Sequence, residues 1–363
     1  MFILAAIGVL ALLIVVHELG HFLAARWQGI HVNRFSIGFG PILWKYQGQQ
    51  TEYALRGFPL GGYVGFPDDD PDSTIPANDP DLLKNRPILD RAIVISAGVI
   101  SNLLFAYIVL VTQVGFVGVP VGVQQPGITI QQTTVSAETP SAAQQAGLKA
   151  GDIVLQAGDQ ELGASEQVSQ QFTQLIQSNG EKPLPLRVKR GDEVLDLTVQ
   201  PQRVDDTYRI GVVIGPNAIV QYRRPQSLGE LFSQATNEYQ RQTLGILQGL
   251  GRLVSNFSET ADQLGGPVRI VADASRYAQN DWRTLFTITA AISINLAIIN
   301  ILPLPALDGG QLSFLLVEAV RGKPLPETIQ AGVMQTGLVM LLGLGVFLII
   351  KDTLMLIAPG SVP

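Results

Sequence analysis

The sequence has no cysteine, and only three of its 363 residues are histidine. Without thiols there can be no disulfide and no thiolate metal site, so a metal could be held only by histidine, carboxylate or backbone oxygen. Charge is scarce too. Charged residues make up 15% of the chain, against about 25% in an ordinary soluble domain. A net charge of −6 argues against a nucleic-acid partner, whose binding surfaces are basic. Residues 118–148 hold no lysine or arginine at all. What is abundant is apolar: 47% of residues are hydrophobic and the mean hydropathy is +0.27. These values describe a membrane protein.

Residues 2–25 are apolar apart from His17, Glu18 and His21. As a helix this stretch is roughly 36 Å long, enough to cross a hydrocarbon core of about 30 Å. No basic residue precedes it, and it runs through a metal-type motif, so it reads as a retained helix rather than a cleaved signal. Further spans are expected at 92–117, about 285–302 and about 333–350. Arg26, Arg86, Arg91, Arg321 and Lys323 put the loops after spans one and three in the cytoplasm, and the long central region outside. Arg276 and Arg283 point weakly the other way, but long loops translocate largely regardless of charge.

Between the spans, 34–66 alternates apolar and polar residues with many glycines, which predicts short strands or a hairpin dipping toward the membrane. The acidic, proline-rich 68–81 predicts a mobile solvated linker. Residues 127–213 read as a soluble α+β domain, with strands at 128–135, 153–157, 184–189 and 194–201 and a helix at 165–177. Residues 222–277 read as amphipathic helix on the membrane surface or beside that domain.

The strongest chemical signal is His17-Glu18-Leu19-Gly20-His21. Helical positions four apart share a face, so both imidazoles can reach one metal. Glu18 is rotated about 100° from His17 and points beside that metal, where a carboxylate can take a proton from an activated water. Zinc is expected, because two imidazoles and a carboxylate leave one coordination position open. A charge at the centre of a spanning helix costs about 2.5–3.5 kcal/mol, so these residues need a bound partner. The bland reading is a helix end whose polar groups reach for the interface.

A third ligand must come from elsewhere. Asp308 stands out in Asn300-Ile301-Leu302-Pro303-Leu304-Pro305-Ala306-Leu307-Asp308-Gly309-Gly310, where two prolines must break the third span. Asp308 could equally cap a new helix starting near Gln311, and the two roles can coexist. Asn295 and Asn300 need amide partners at lipid depth, either an extended substrate or another helix. His31 reads as a loop residue, and Trp44 and Tyr63 as interface anchors.

These motifs resemble the site-2 protease family of intramembrane zinc proteases, most closely its bacterial regulator-of-sigma-E protease branch. The first motif is the His17–His21 run, and the second is Leu307-Asp308-Gly309-Gly310 with the preceding Asn-x-x-Pro-x-Pro. Arg34 to Gly40 and Pro59 to Val64 resemble the family's membrane-associated β-loop. The stretch 91–105 with Ala97-Gly98 and Asn102 resembles its second-helix motif, except that Gly98-Val99 stands where the family usually has Gly-Pro. The resemblance implies Zn2+ on His17, His21 and Asp308, with Glu18 as catalytic base. It implies substrate contacts at Asn102, Asn295, Asn300, Gly61 and Gly62. Residues 141–152 resemble the helix-to-strand turn of a bacterial PDZ domain, which would bind peptide termini, with 127–135 as the expected groove edge.

The expected fold is thus a polytopic α-helical membrane protein with four transmembrane helices, a membrane-associated β-loop and one extramembrane α+β PDZ domain. Its expected divisions are a first helix (1–26), cytoplasmic β-loop and acidic linker (27–91), second helix (92–117), PDZ domain (118–220), amphipathic segment (221–283), third helix with the LDGG segment (284–332), and fourth helix with the C-terminus (333–363). The expected function is cleavage of transmembrane segments in regulated intramembrane proteolysis. Substrates would be single-pass membrane proteins such as anti-sigma factors or signal-peptide remnants. The location would be a bacterial inner membrane or an organellar membrane, with the PDZ domain outside the cytoplasm. The competing classes are a membrane-anchored PDZ adaptor with a vestigial metal site and a metal transporter.

Overall fold

The computed structural model describes residues 2–133, 140–165, 167–204, 207–256 and 265–357. Contacts divide the chain into two compact units, one of Met1–Gly118 with Arg224–Pro363 and one of Val119–Arg223.

The first unit opens with helix α1 (Phe2–Trp27), apolar but for His17, Glu18, His21 and the terminal Arg26, and it ends before Gly29. Strands β1 (Arg34–Gln47) and β2 (Glu52–Gly65) follow. Their tips form a hairpin, with Trp44 opposite Leu55 and Gln47 opposite Glu52. Both strands then bend. The first residues of β1 lie between the two halves of β2, so Ile37 pairs with Leu55 on one side and Gly62 on the other. The outer half of β2 is left as a sheet edge. Toward the hairpin tip Leu43, Trp44, Tyr46 and Phe58 are exposed, as expected of a hairpin that meets lipid rather than water.

The stretch 68–81 is not the mobile linker that its composition suggests. Its acids are used locally: Asp68 accepts from the backbone amides of Leu83 and Lys84, Asp70 from the Asn33 amide, and Asp81 pairs with Arg86. Arg86 also donates to the Gln28 carbonyl beyond α1. Paired carboxylates make this segment a structured cover.

Helix α2 begins at Ile88, four residues before the expected start, because Pro87 provides a preset entry. It runs Ile88–Thr112 and closes with a π-turn at Gln113–Val117.

The second unit is an α+β fold. Its strands are β3 (Val119–Thr133), β4 (Ile153–Ala157), β5 (Gln160–Glu161), β6 (Leu184–Arg190), β7 (Glu193–Val199), β8 (Gln202–Val204), β9 (Thr207–Arg209) and β10 (Val212–Arg223). Its helices are α3 (Ala142–Gln145) and α4 (Val168–Asn179). The main sheet runs β10-β3-β4-β6-β7, with β5 paired to β4. Alternation on β6 buries Leu184, Leu186 and Val188, and helical spacing on α4 buries Val168, Phe172 and Ile176 against them. The sequence missed β10 and the early half of β3. Thr134 and Val135, expected to end the first strand, lie outside the described residues. The expected groove edge at 127–135 is also corrected, since β3 is an inner strand and the open edge beside α4 is β10. A cleft of about 410 Å³ there is lined by Ser169, Gln170, Thr173, Gln174 and Ile214.

The first unit resumes with α5 (Leu228–Ser255), α6 (Pro267–Asn280), α7 (Thr284–Ile301), α8 (Asp308–Arg321) and α9 (Glu327–Ile357). Among the described residues, the single amphipathic helix expected over 222–277 is replaced by α5 and α6, and Tyr222 belongs to β10. Among the described residues, four helices are long and apolar enough to cross a membrane: Ile3–Trp27, Ile88–Val117, Thr284–Ile301 and Glu327–Met355. Helix α9 is mostly exposed, but several contacts attach it, among them the Ala306 amide on Met334 Sδ. Gly337 packs against Pro305, and the buried Asp352 carboxylate accepts from the Gly266 and Arg269 amides at the start of α6. An acid inside an apolar helix thus serves as the cap of another helix.

Candidate metal centre

Helices α1 and α2 cross closely because both carry small residues at the contact. A Cβ on Gly20 would lie 2.4 Å from the Ala97 carbonyl oxygen, and Ser101 Oγ donates to the Val16 carbonyl at 2.9 Å. This approach lays His17 and His21 along one face of α2. A Cβ on Gly98 would fall 2.3 Å from His21 Nε2 and 2.7 Å from His17 Cε1. The ring planes are perpendicular, with Nε2 atoms 3.3 Å apart.

Asp308 reaches the same point from the far end of the chain. Its Oδ2 lies 3.3 Å from His17 Nε2 and 3.5 Å from His21 Nε2. The capping role open to Asp308 is not the one it takes. Helix α8 starts at Asp308 itself, Leu307 is the N-cap residue, and no side chain caps this end. Gly309 and Gly310 make this possible. A Cβ on Gly309 would be 2.1 Å from the Leu302 carbonyl oxygen, and one on Gly310 would be 2.4 Å from that of Leu304. The helix start therefore nests into the proline-broken turn, and Ala306 takes a left-handed φ of 69° to close it. An ion pair between Arg91 and Glu318 ties α8 to α2 farther along the helix.

These donors fit a zinc ion. Asp308 Oδ2 is buried with no hydrogen-bond partner, and it faces two imidazole nitrogens. His21 Nδ1 lies 2.8 Å from the Val94 carbonyl, to which only an N–H can donate. That bond leaves His21 Nε2 with its lone pair toward the shared point. Two imidazoles and one carboxylate form a familiar zinc-ligand set with room for water.

The site opens into a cavity of about 440 Å³, lined among others by Glu18, Tyr63, Val64, Asn300 and Asp308. Glu18 faces the β-loop: a Cβ on Gly62 would come within 3.2 Å of its Cγ. Gly61, with φ of 133°, packs under the Phe39 ring where no side chain fits. The Asn300 amide nitrogen is 3.3 Å from His17 Nε2, within the cavity. Asn295, on the same helix, does not line the cavity. Asn102, expected to contact substrate, is instead fully buried with its amide 3.4 Å from His17 Nδ1. Tyr63 is a cavity wall, hydrogen-bonded to Arg56, rather than an interface anchor. His31 stays apart, 3.6 Å from Asp79.

The sequence reading names Gly98 in the second-helix motif but not Val94, nor the space that Gly98 leaves for the two rings. Their signal was available: Val94, Gly98 and Asn102 repeat every four residues, the same spacing as His17 and His21.

A membrane-spanning helical unit with two helix-borne histidines and a carboxylate around one point defines the class of membrane-embedded metalloproteases. The chain matches Peptidase family M50 over residues 5–344. A Nostoc sp. protein named for zinc metalloprotease activity is 60% identical over 353 residues, covering 97% of this chain and 96% of that protein. A Synechocystis sp. protein similarly named is 54% identical over 352 residues, covering 97% and 94%. The membrane metalloprotease ARASP, chloroplastic, of Arabidopsis thaliana is 46% identical over 357 residues, covering 98% and 79%. The chain belongs to Peptidase family M50, the site-2 protease family, and is an intramembrane zinc metalloprotease.

Proposed function

We propose that this protein cleaves peptide bonds within membrane-spanning segments of single-pass membrane proteins, with His17, His21 and Asp308 as zinc ligands and Glu18 as general base and acid. The observation that carries this reading is the convergence of His17 Nε2, His21 Nε2 and Asp308 Oδ2 within 3.5 Å, with both histidines on a helix of membrane-spanning character.

Zinc, when bound, supplies the electrophile that activates water and polarises the scissile carbonyl. The residues of the chain do the rest. A helical substrate hides its peptide bonds in its own hydrogen bonds, so it must unwind locally to be cut. The outer half of β2 offers a strand edge beside Glu18, on which an unwound segment can add as a further strand. Gly62 allows that strand to pass close to Glu18, and Asn300 offers an amide to its backbone. Glu18 takes the proton of the attacking water and returns it to the leaving amine.

The Val119–Arg223 unit reads as the single PDZ domain, with the cleft between α4 and the β10 edge as its peptide groove. Uncharged polar groups line that groove, which suits an extended chain terminus. It would lie outside the cytoplasm and act as a tether or size filter. Anti-sigma factors and signal-peptide remnants are substrates of the right form. The likeness to bacterial proteins and to a chloroplastic one suits a bacterial inner membrane or an organellar membrane as its location.

The test is Glu18→Gln in the full-length protein. The variant should bind zinc as wild type does and lose cleavage of a reconstituted model transmembrane substrate by about 10²-fold or more. Cleavage at the wild-type rate would refute the role of Glu18. Loss of zinc would move Glu18 into the ligand set.

A further inference from the structure

Outside the three ligands, one buried group touches the metal centre without an assigned task. Asn102 is wholly buried on α2, with one end of its amide 3.4 Å from His17 Nδ1. The other end, Oδ1, is buried with no partner among the described residues. A neutral imidazole carries one N–H. If His17 is to offer Nε2 to a metal, its proton must sit on Nδ1 and needs an acceptor there. A half-turn of the Asn102 carboxamide exchanges its two ends, which are alike in shape. It brings the unpartnered oxygen to Nδ1.

We propose that Asn102 is a positioning residue for the metal centre: its amide oxygen accepts the Nδ1 proton of His17 and so holds Nε2 ready to bind zinc. The inference rests on the ligand assignment above. It also explains the arrangement of α2. Val94, Gly98 and Asn102 lie one above another on a helix that runs opposite to α1. The Val94 carbonyl accepts from His21 Nδ1, Gly98 gives the two rings their space, and Asn102 completes the set at His17. One face of one helix thereby orients both imidazoles. Ser293 fixes the strip from behind by donating to the Asn102 carbonyl at 2.8 Å. That backbone bond survives a side-chain change.

The experiment titrates zinc into the metal-stripped, full-length protein in detergent against a chromophoric chelator, for wild type, Asn102→Leu and Asn102→Asp. Leucine keeps the branched outline, is somewhat bulkier, and accepts no hydrogen bond. Aspartate accepts one. Asn102→Leu should bind zinc about 10- to 100-fold more weakly, the usual loss for a missing partner of a ligating histidine. Asn102→Asp should restore affinity to wild type or above. With Co2+ in place of zinc, the visible absorption should shift in Asn102→Leu and return in Asn102→Asp. A packing defect in Asn102→Leu would instead show as a lower melting temperature of the zinc-stripped protein, whereas loss of the hydrogen bond to His17 lowers zinc affinity with that melting unchanged. Zinc binding by Asn102→Leu equal to wild type, or equal weakening in both variants, would overturn the proposal. Failure of the wild-type protein itself to bind zinc would overturn the ligand assignment on which it stands.

Discussion

A methyl group on Gly98 would sit 2.3 Å from Nε2 of His21, which is closer than any two such atoms can approach. The position is therefore reserved for glycine by the imidazoles of another helix. Gly98→Ala should displace both rings and reduce zinc binding by about tenfold or more, as losses in ligand support do. Gly343→Ala, in open space on α9, should leave zinc binding unchanged. Metal content of the purified variants checks both.

Gly309 makes a parallel case at the third ligand. A side chain there meets the Leu302 carbonyl, a backbone atom that cannot swing aside. Gly309→Ala should shift the start of α8, move Asp308 from the histidines, and lower both zinc content and thermal stability. Asp308→Asn should lose zinc but, once both proteins are stripped of metal, melt as wild type does, because the backbone nest is intact. Comparing melting curves of the zinc-stripped variants separates the two effects.

Asp352 ties α9 to α6 through two backbone amides, at 3.2 Å to Gly266 and 2.9 Å to Arg269. Removing a helix cap costs about 0.5–2 kcal/mol. Asp352→Ala should lower the melting temperature and speed proteolysis near the start of α6. Asp352→Asn keeps an acceptor oxygen and should be milder. Equal stability of alanine and wild type would show that the cap contributes nothing.

The Val119–Arg223 unit carries a titratable lock. Asp152 is buried; Arg190 donates to both its oxygens at 2.7 Å, and the Lys149 amide donates at 2.8 Å. Burial works to raise this carboxyl, but Arg190 and the Lys149 amide outweigh it and hold it below the ordinary range. A depressed folded-state value contributes stability that is full above the unfolded value of about 3.9 and is lost as pH falls through the folded one. Melting of the full-length protein between pH 7 and pH 3 should show this loss. Asp152→Asn should be less stable at pH 7 and flatter across that range.

Much of this architecture is legible in the chain. The spans could be read because each must be long and apolar to replace water with lipid. The strands of the second unit that alternate, such as β6, were equally plain. The 68–81 segment shows where composition fails, since it counts acids but not their partners: Asp68, Asp70 and Asp81 each find a donor only once the chain is folded. β10 was missed for a similar reason. Its pairing with β3 is long-range, and its sequence does not alternate cleanly.

The sequence by itself determined that a metal-type pair, His17 and His21, lies inside an apolar helix, because a helix has 3.6 residues per turn wherever it occurs. It also marked Asp308 as an acid beside a forced break. Only the tertiary structure decided that Asp308 turns its carboxylate to the histidines rather than to its own helix. That outcome depends on the room left by Gly98, Gly309 and Gly310. Spacing along a chain cannot report such room, because it exists only between helices that have already packed.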